Sequence, residues 1–196
     1  MALIYLVRHG ATTVGEILVG RAPGIGMSEL GNEQVKHNVE YFSDIKFDEI
    51  YSSPIERTRI MAEAIAANQN KKVIYSDDLL EVDFGEWTNK LFKELEGDYR
   101  WKNFHTNRSG TRVPGGEHIL EVQHRMVDKI YEVFNSNPEG TFCLVSHGDP
   151  IRTAIAYFTG IHLENMLKLT VSLGSISIIK LTELNSSLEK LNLTLK

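Results

Sequence analysis

The chain has 196 residues, enough for one domain with a sizeable apolar core and too few for two large ones. Its composition, 42% apolar and 24% charged, excludes an extensively disordered chain, and no run approaches the roughly 18 consecutive apolar residues of a membrane-spanning helix. A net charge of −5 provides no long-range attraction to nucleic acid or anionic lipid, so any cationic site must be local.

Residues 3–7 read as a first strand, too short to cross a bilayer and without the pattern of a cleaved signal peptide. Cys143 is the only cysteine, so no intramolecular disulfide can form. The expectation is an unprocessed cytoplasmic protein with Cys143 buried in a strand. After a glycine-rich loop to Met27, the spacing of Val35, Val39 and Phe42 predicts a helix over 28–42, and 48–52 a short strand. Ser53, Pro54 and Glu56 read as N-cap, first-turn proline and capping-box acid of a helix reaching Asn68. Residues 73–76 form a third strand, followed by an acidic and aromatic connection over 79–87.

The irregular stretch at about 89–116 reads as an insertion or cap. Its Arg100, Lys102, Arg108 and Arg112 either are solvated or recognise an anionic substrate tail. Trp87 and Trp101 read as core or cap-interface residues. Pro114-Gly115-Gly116 introduces an amphipathic helix over 117–135, with Val122, Met126, Ile130 and Val133 on one face, and 141–146 is a buried strand. Asp149, read as an N-cap, and Gly160 bracket a further helix, and residues 176–195 alternate as a hairpin about a turn at 185–187. This order predicts an α/β protein: a three-layer α/β/α sandwich with a mostly parallel central sheet, one domain over 1–196.

Two segments share a design. Residues 3–7 run into Arg8-His9-Gly10, and 141–145 into Ser146-His147-Gly148. Carboxyl ends of neighbouring strands in an open α/β sheet face one crevice, so both imidazoles and Arg8 can meet there beside helix N-termini, an arrangement suited to a tetrahedral dianion. Arg57, just past the second strand, brings another guanidinium, whose planar fork holds two phosphoryl oxygens at once. Glu81, with Asp83 and Glu86 nearby, follows the third strand. His37, His105, His118, His124 and His162 show no such pattern and read as surface or packing residues.

In Leu6-Val7-Arg8-His9-Gly10, Gly20-Arg21-Ala22-Pro23-Gly24, Ser53-Pro54-Ile55-Glu56-Arg57, Glu81-Val82-Asp83-Phe84-Gly85 and Val145-Ser146-His147-Gly148 the chain resembles the histidine phosphatase superfamily, which includes the phosphoglycerate mutases. Within it the chain is most similar to a bacterial phosphomutase/phosphatase group. The resemblance implies hydrolysis of a small-molecule phosphate ester through a phosphohistidine on His9. Arg8, Arg57 and His147 would hold the phosphoryl group, with Thr12, Gly24 and Gly148 beside it, and Glu81 would be the proton donor. It implies no metal, no nucleic acid and no membrane partner, and a monomer or homodimer. The family's asparagine after the first motif is missing from Ala11-Thr12-Thr13-Val14-Gly15, so another donor must replace it or the site is weaker.

Three alternatives share parts of this pattern. A phosphomutase, primed by a 2,3-bisphosphoglycerate-type cofactor, would return the phosphoryl group to another hydroxyl. A noncatalytic phosphoester-binding module would need neither His9 nor Glu81. A metallophosphatase would use His147 and Asp149 as ligands, but further clustered ligands are lacking.

Overall fold

The computed structural model describes residues 1–195. Six strands form one sheet: β1 (Ala2–Arg8), β2 (Glu49–Ser52), β3 (Val73–Tyr75), β4 (Thr141–Ser146), β5 (Ile176–Leu181) and β6 (Ser186–Leu193), in the spatial order β3-β2-β4-β1-β5-β6. The first four in that order are mutually parallel, and β5 and β6 close one edge as an antiparallel hairpin whose turn lies slightly earlier than expected, between β5 and Ser186. Cys143 is buried in β4.

Alternation along the central strands builds the layers. Ile4 and Leu6 of β1, with Phe142 and Leu144 of β4, face one cluster, which takes in Val122, Met126 and Ile130 of α5 (Ile119–Ser136) and Ile151, Ala154 and Ile155 of α6 (Gly148–Thr159). Tyr5, Val7, Cys143 and Val145 face the other, against Val35 of α1 (Glu29–Tyr41) and Met61, Ala62 and Ile65 of α2 (Glu56–Asn68). A strand buried on both faces is nearly all apolar, and that is the sequence of β1 and β4.

Two short helices, α3 (Phe92–Leu95) and α4 (Tyr99–Thr106), lie within residues 89–116. Leu95 and Phe104 are fully buried in the first cluster, and Trp87 packs edge-on against Trp101 with ring centroids 5.2 Å apart. Each such aromatic contributes about 1.5–3 kcal/mol by leaving water.

Helix starts differ from expectation in three places. In α2 the N-cap position is Ile55, not Ser53, and has no side-chain cap; the Ser53 hydroxyl accepts from the Ile55 N–H at 3.4 Å and lies 2.9 Å from His147 Nε2. The helix expected from 117 starts at Ile119, capped by His118 in a box with Glu121. In α6 the N-cap position is His147, and Asp149 sits in the first turn, where two arginines hold its carboxylate. Gly160 ends α6 in the left-handed conformation, φ 69°.

Candidate active site

The register of β1 and β4 pairs Arg8 with Ser146, so the residues that follow, His9 and His147, leave the sheet side by side. Their ring centroids lie 5.2 Å apart. The turn after His9 is fixed by α1. Ser28 donates its backbone N–H to the Ala11 carbonyl, and Gln34 accepts from the Ala11 N–H at 2.8 Å. A Cβ on Gly31 would lie 2.0 Å from the Ala11 oxygen, so only glycine lets the two backbones meet.

His9 is 6% exposed. Its Nδ1 lies 2.8 Å from the Gly10 carbonyl oxygen. A carbonyl only accepts, so Nδ1 carries the proton and Nε2 presents its lone pair. Burial first, then the charges of Arg57 and Arg8, push the His9 pKa well below the ordinary 6.5, and the ring is neutral.

Arg57, 3% exposed, spans the two imidazoles. Its Nε donates to His9 Nε2 at 3.2 Å, and Nη2 donates to the Gly20 carbonyl at 2.8 Å and to His147 Nδ1 at 3.0 Å. His147 therefore accepts at Nδ1 and donates from Nε2 to Ser53 Oγ, 2.9 Å away. Its pKa is likewise well below 6.5, through burial and then Arg57. Arg8 Nη1 donates to the Val171 carbonyl at 2.7 Å. Gly148 lies behind Arg8, where a Cβ would come within 3.2 Å of the Arg8 Cζ.

Two guanidinium nitrogens here, Arg8 Nε and Arg57 Nη1, are buried without an acceptor. An unsatisfied buried donor costs about 1–3 kcal/mol. Two such donors beside an unprotonated imidazole nitrogen suit an anion with several acceptor oxygens.

Glu81 is anchored through its backbone. Arg21 Nε and Arg125 Nη2 both donate to its carbonyl, at 2.8 and 3.2 Å, and its own Oε1 accepts from the Val82 N–H at 2.9 Å. Glu117 ties this loop down by accepting from the Asp83 N–H and pairing with Arg21 and Arg125. Gly116 makes room, since a Cβ there would stand 2.1 Å from the Asp83 oxygen. Burial first, then the Asp149 charge, raise the Glu81 pKa above the ordinary 4.5, against the pull of Arg57 and Arg8.

Arg8, His9, Thr12, Arg57 and Glu81 all line one cleft of about 390 Å³. Thr12 donates its hydroxyl to the Val14 carbonyl at 3.0 Å. Gly24 is exposed and lies outside the cleft lining. His147 and Gly148 are buried behind the lining.

The arginines at 100–112 do not reach the cleft. Arg100 pairs with Asp98 and Glu86, Arg112 with Glu121, and buried Arg108 with Asp149 at 3.0 Å. Arg100, Lys102 and Arg112 lie at the solvated surface, the two arginines in exposed ion pairs, and only Arg108 is buried. Ser53, Arg21, Arg125 and Glu117 are supports that no local pattern marked, although Arg21 and Glu117 sit in the glycine-rich motifs that the site needs for close packing.

A family model described as the histidine phosphatase superfamily, branch 1, matches residues 4–194. The chain belongs to the histidine phosphatase superfamily. It is 31% identical to phosphoserine phosphatase 1 of Hydrogenobacter thermophilus over 99% of this chain and 93% of that protein. It is 29% identical to a 2,3-bisphosphoglycerate-dependent phosphoglycerate mutase of Thermoplasma acidophilum over 91% of this chain and 87% of that protein. Among solved structures, a phosphoserine phosphatase from Entamoeba histolytica in complex with phosphoserine superposes with a TM-score of 0.88 at 26% identity, covering 98% of this chain and 97% of that one.

This histidine phosphatase is thus an enzyme with the mixed-sheet fold of the phosphoglycerate mutase-like group. Among the described residues no cluster of three or more His, Cys, Asp and Glu side chains is placed to hold a metal ion, and no helix is long and apolar enough to cross a membrane.

Proposed function

We propose that this histidine phosphatase hydrolyses a small-molecule phosphate monoester through a phosphohistidine formed at His9 Nε2. The observation that carries this reading is the pair of unsatisfied guanidinium nitrogens, Arg8 Nε and Arg57 Nη1, beside an imidazole locked with its lone pair on Nε2.

A phosphoryl dianion entering the cleft supplies the missing acceptors. Its oxygens compete for Arg57 with the neutral His9 Nε2, and a charge-assisted bond is about twice as strong as a neutral one. Arg57 turns to the phosphoryl group and frees Nε2 for in-line attack on phosphorus. The same turn releases His147 Nδ1, and the neighbouring dianion favours a proton there, so that His147 becomes a donor to a phosphoryl oxygen.

As the P–N bond forms and the ester P–O bond breaks, Glu81 transfers its proton to the leaving oxygen. The alcohol departs, and water attacks phosphorus. Glu81, now ionised, takes a proton from that water, the P–N bond breaks and Nε2 regains its lone pair. The loose transition state leaves most of the acceleration to positioning and charge compensation, which Arg8 and Arg57 supply. Residues 89–116 act as a cap beside the leaving group.

The test is His9→Ala. Wild-type enzyme mixed with substrate and quenched in alkali carries one acid-labile phosphoryl group, read as a mass increase on the peptide containing His9. The variant shows neither turnover nor label, and normal turnover without His9 rejects the mechanism. The mutase relative motivates a second reading, in which another hydroxyl rather than water accepts the phosphoryl group. Isomerisation dependent on a bisphosphate primer, without release of inorganic phosphate, would favour it.

A further inference from the structure

The cleft is electrostatically one-sided. Among the described residues that line it, the only cations are Arg8 and Arg57, both flanking His9 at the phosphoryl end, and the only acid is Glu81. The remaining wall is Val14, Ile17, Leu18, Val19, Phe84, Phe92 and Leu173, broken only by small residues and Thr12.

This wall is a built surface. Residues 16–18 and 89–92 zip together: Phe92 N–H donates to the Glu16 carbonyl at 3.0 Å, Leu18 N–H to the Lys90 carbonyl at 2.9 Å, and Asn89 N–H to the Leu18 carbonyl at 2.8 Å. Ile17 pairs with Leu91 as an isolated bridge. That ladder brings Phe92, 41% exposed, to the cleft beside Ile17 and Val14. The arginines at 100, 108 and 112 are committed to carboxylates elsewhere, and Arg21 is held by Glu117 and the Glu81 carbonyl. Lys90 and Lys93 flank Phe92 in sequence but do not line the cleft.

Resting on the phosphatase reading above, we infer that the substrate is the phosphate monoester of an uncharged, largely apolar alcohol, whose body lies against Val14, Ile17, Phe84, Phe92 and Leu173. Among the described residues that line the cleft, a leaving group bearing a carboxylate, such as phosphoserine or a phosphoglycerate, finds no cation to pair with beyond the phosphoryl end. It must give up solvation of its charge against a mostly apolar wall that offers no compensating cation. The structure thus separates this chain's leaving-group preference from the one named for its phosphoserine phosphatase relatives.

The experiment compares n-hexyl phosphate with 6-(phosphonooxy)hexanoate, which have the same reacting bond and chain length and differ by one terminal carboxylate. Phosphoserine and methyl phosphate are run alongside, with phosphoenzyme labelling of His9 for each. Hexyl phosphate should exceed its carboxylate twin at least tenfold in kcat/KM, and each methylene that enters the cleft should raise kcat/KM by up to about fourfold. Ile17→Ala and Phe92→Ala should each lower the hexyl-to-methyl ratio of kcat/KM, and Phe92→Lys should move preference toward the carboxylate twin. Equal rates for the twins, or preference for phosphoserine, with His9 still labelled, overturns the substrate assignment alone. Failure of every ester to label His9 overturns the phosphohistidine reading beneath it.

Discussion

Glu81→Gln separates proton donation from every other role that the Glu81 carboxyl could play. The amide keeps an oxygen for the Val82 N–H, and the two arginines grip the backbone carbonyl, so the loop holds its place. What disappears is a proton donor in the protonated form, and in the ionised form a negative charge felt by Arg8 and Arg57. Loss of that charge does not weaken attraction for a dianion, so KM should not rise. General acid catalysis is worth about 10²–10⁴-fold, or roughly 2.7–5.4 kcal/mol of barrier, when the leaving group is an alkoxide. A 4-nitrophenolate departs without a proton. The variant should therefore lose about 10²–10⁴-fold in kcat/KM on an alkyl phosphate and under about tenfold on 4-nitrophenyl phosphate.

In the proposed mechanism Glu81 is also the base for water, so the second half-reaction should be slowed for either substrate. Stopped-flow with 4-nitrophenyl phosphate should show a burst approaching one equivalent of phenol per enzyme, then a slow steady state. The pH profile follows from the directions of the shifts. Wild-type kcat/KM on an alkyl ester falls on the acid side where His9 protonates, well below 6.5, and on the alkaline side where Glu81 ionises, above 4.5. Glu81→Gln should lose the alkaline limb. An equal loss on both substrate classes, or an unchanged alkaline limb, refutes the assignment of Glu81.

Asp149→Ala leaves Arg108, whose side chain is 2% exposed, without its carboxylate, and should cost about 3–5 kcal/mol by urea denaturation. Burial alone would raise the Asp149 carboxyl, but Arg108 and Arg152 override it and hold it below its ordinary value. Its stabilisation is then complete above the unfolded carboxylate pKa and lost as pH falls through the folded one, so the deficit should shrink in acid. Gly31→Ala must separate α1 from the Ala11 backbone, because the added Cβ would lie 2.0 Å from a carbonyl oxygen. A stability loss of about 1–3 kcal/mol is expected together with a fall in kcat, and an unperturbed kcat would show that the His9 turn does not depend on this contact.

The site was legible in the sequence where backbone topology alone delivers a side chain. His9 and His147 follow two apolar runs, and parallel pairing of those runs in register brings the rings together without help from any third element. Arg57 and Glu81 also follow strands. The sequence failed where a side chain's partner is distant. Ser53 before Pro54 has the local signature of a helix cap, yet its hydroxyl meets His147, 94 positions away. Asp149 before Pro150 has the same signature, yet Arg108 claims it from the segment between α4 and α5. The arginines of 100–112 were ambiguous for that reason: an arginine looks free in sequence until its carboxylate is found. Gly24 shares a motif with Gly20 and Arg21, but only those two carry atoms that touch the catalytic loop or Arg57.

Arg8 and Arg57 serve opposite demands on one small volume, and inorganic phosphate tests whether they do. Their charges help to keep His9 unprotonated, and their nitrogens Arg8 Nε and Arg57 Nη1 have no protein acceptor. In the proposed mechanism a tetrahedral dianion supplies acceptors to both donors and draws Arg57 off His9, so part of its binding energy is relief of unmade hydrogen bonds rather than new contact. Phosphate, the product, offers the same oxygens as the ester and should be a competitive inhibitor. At a concentration 100 times its Kd it should stabilise the fold by about 2.7 kcal/mol, read as a rise in Tm. Arg57→Ala should abolish most of that rise while His9→Ala, which leaves both guanidiniums in place, should retain it. If phosphate stabilises the Arg57→Ala protein as strongly as the wild type, the cations of this cleft are not its anion site.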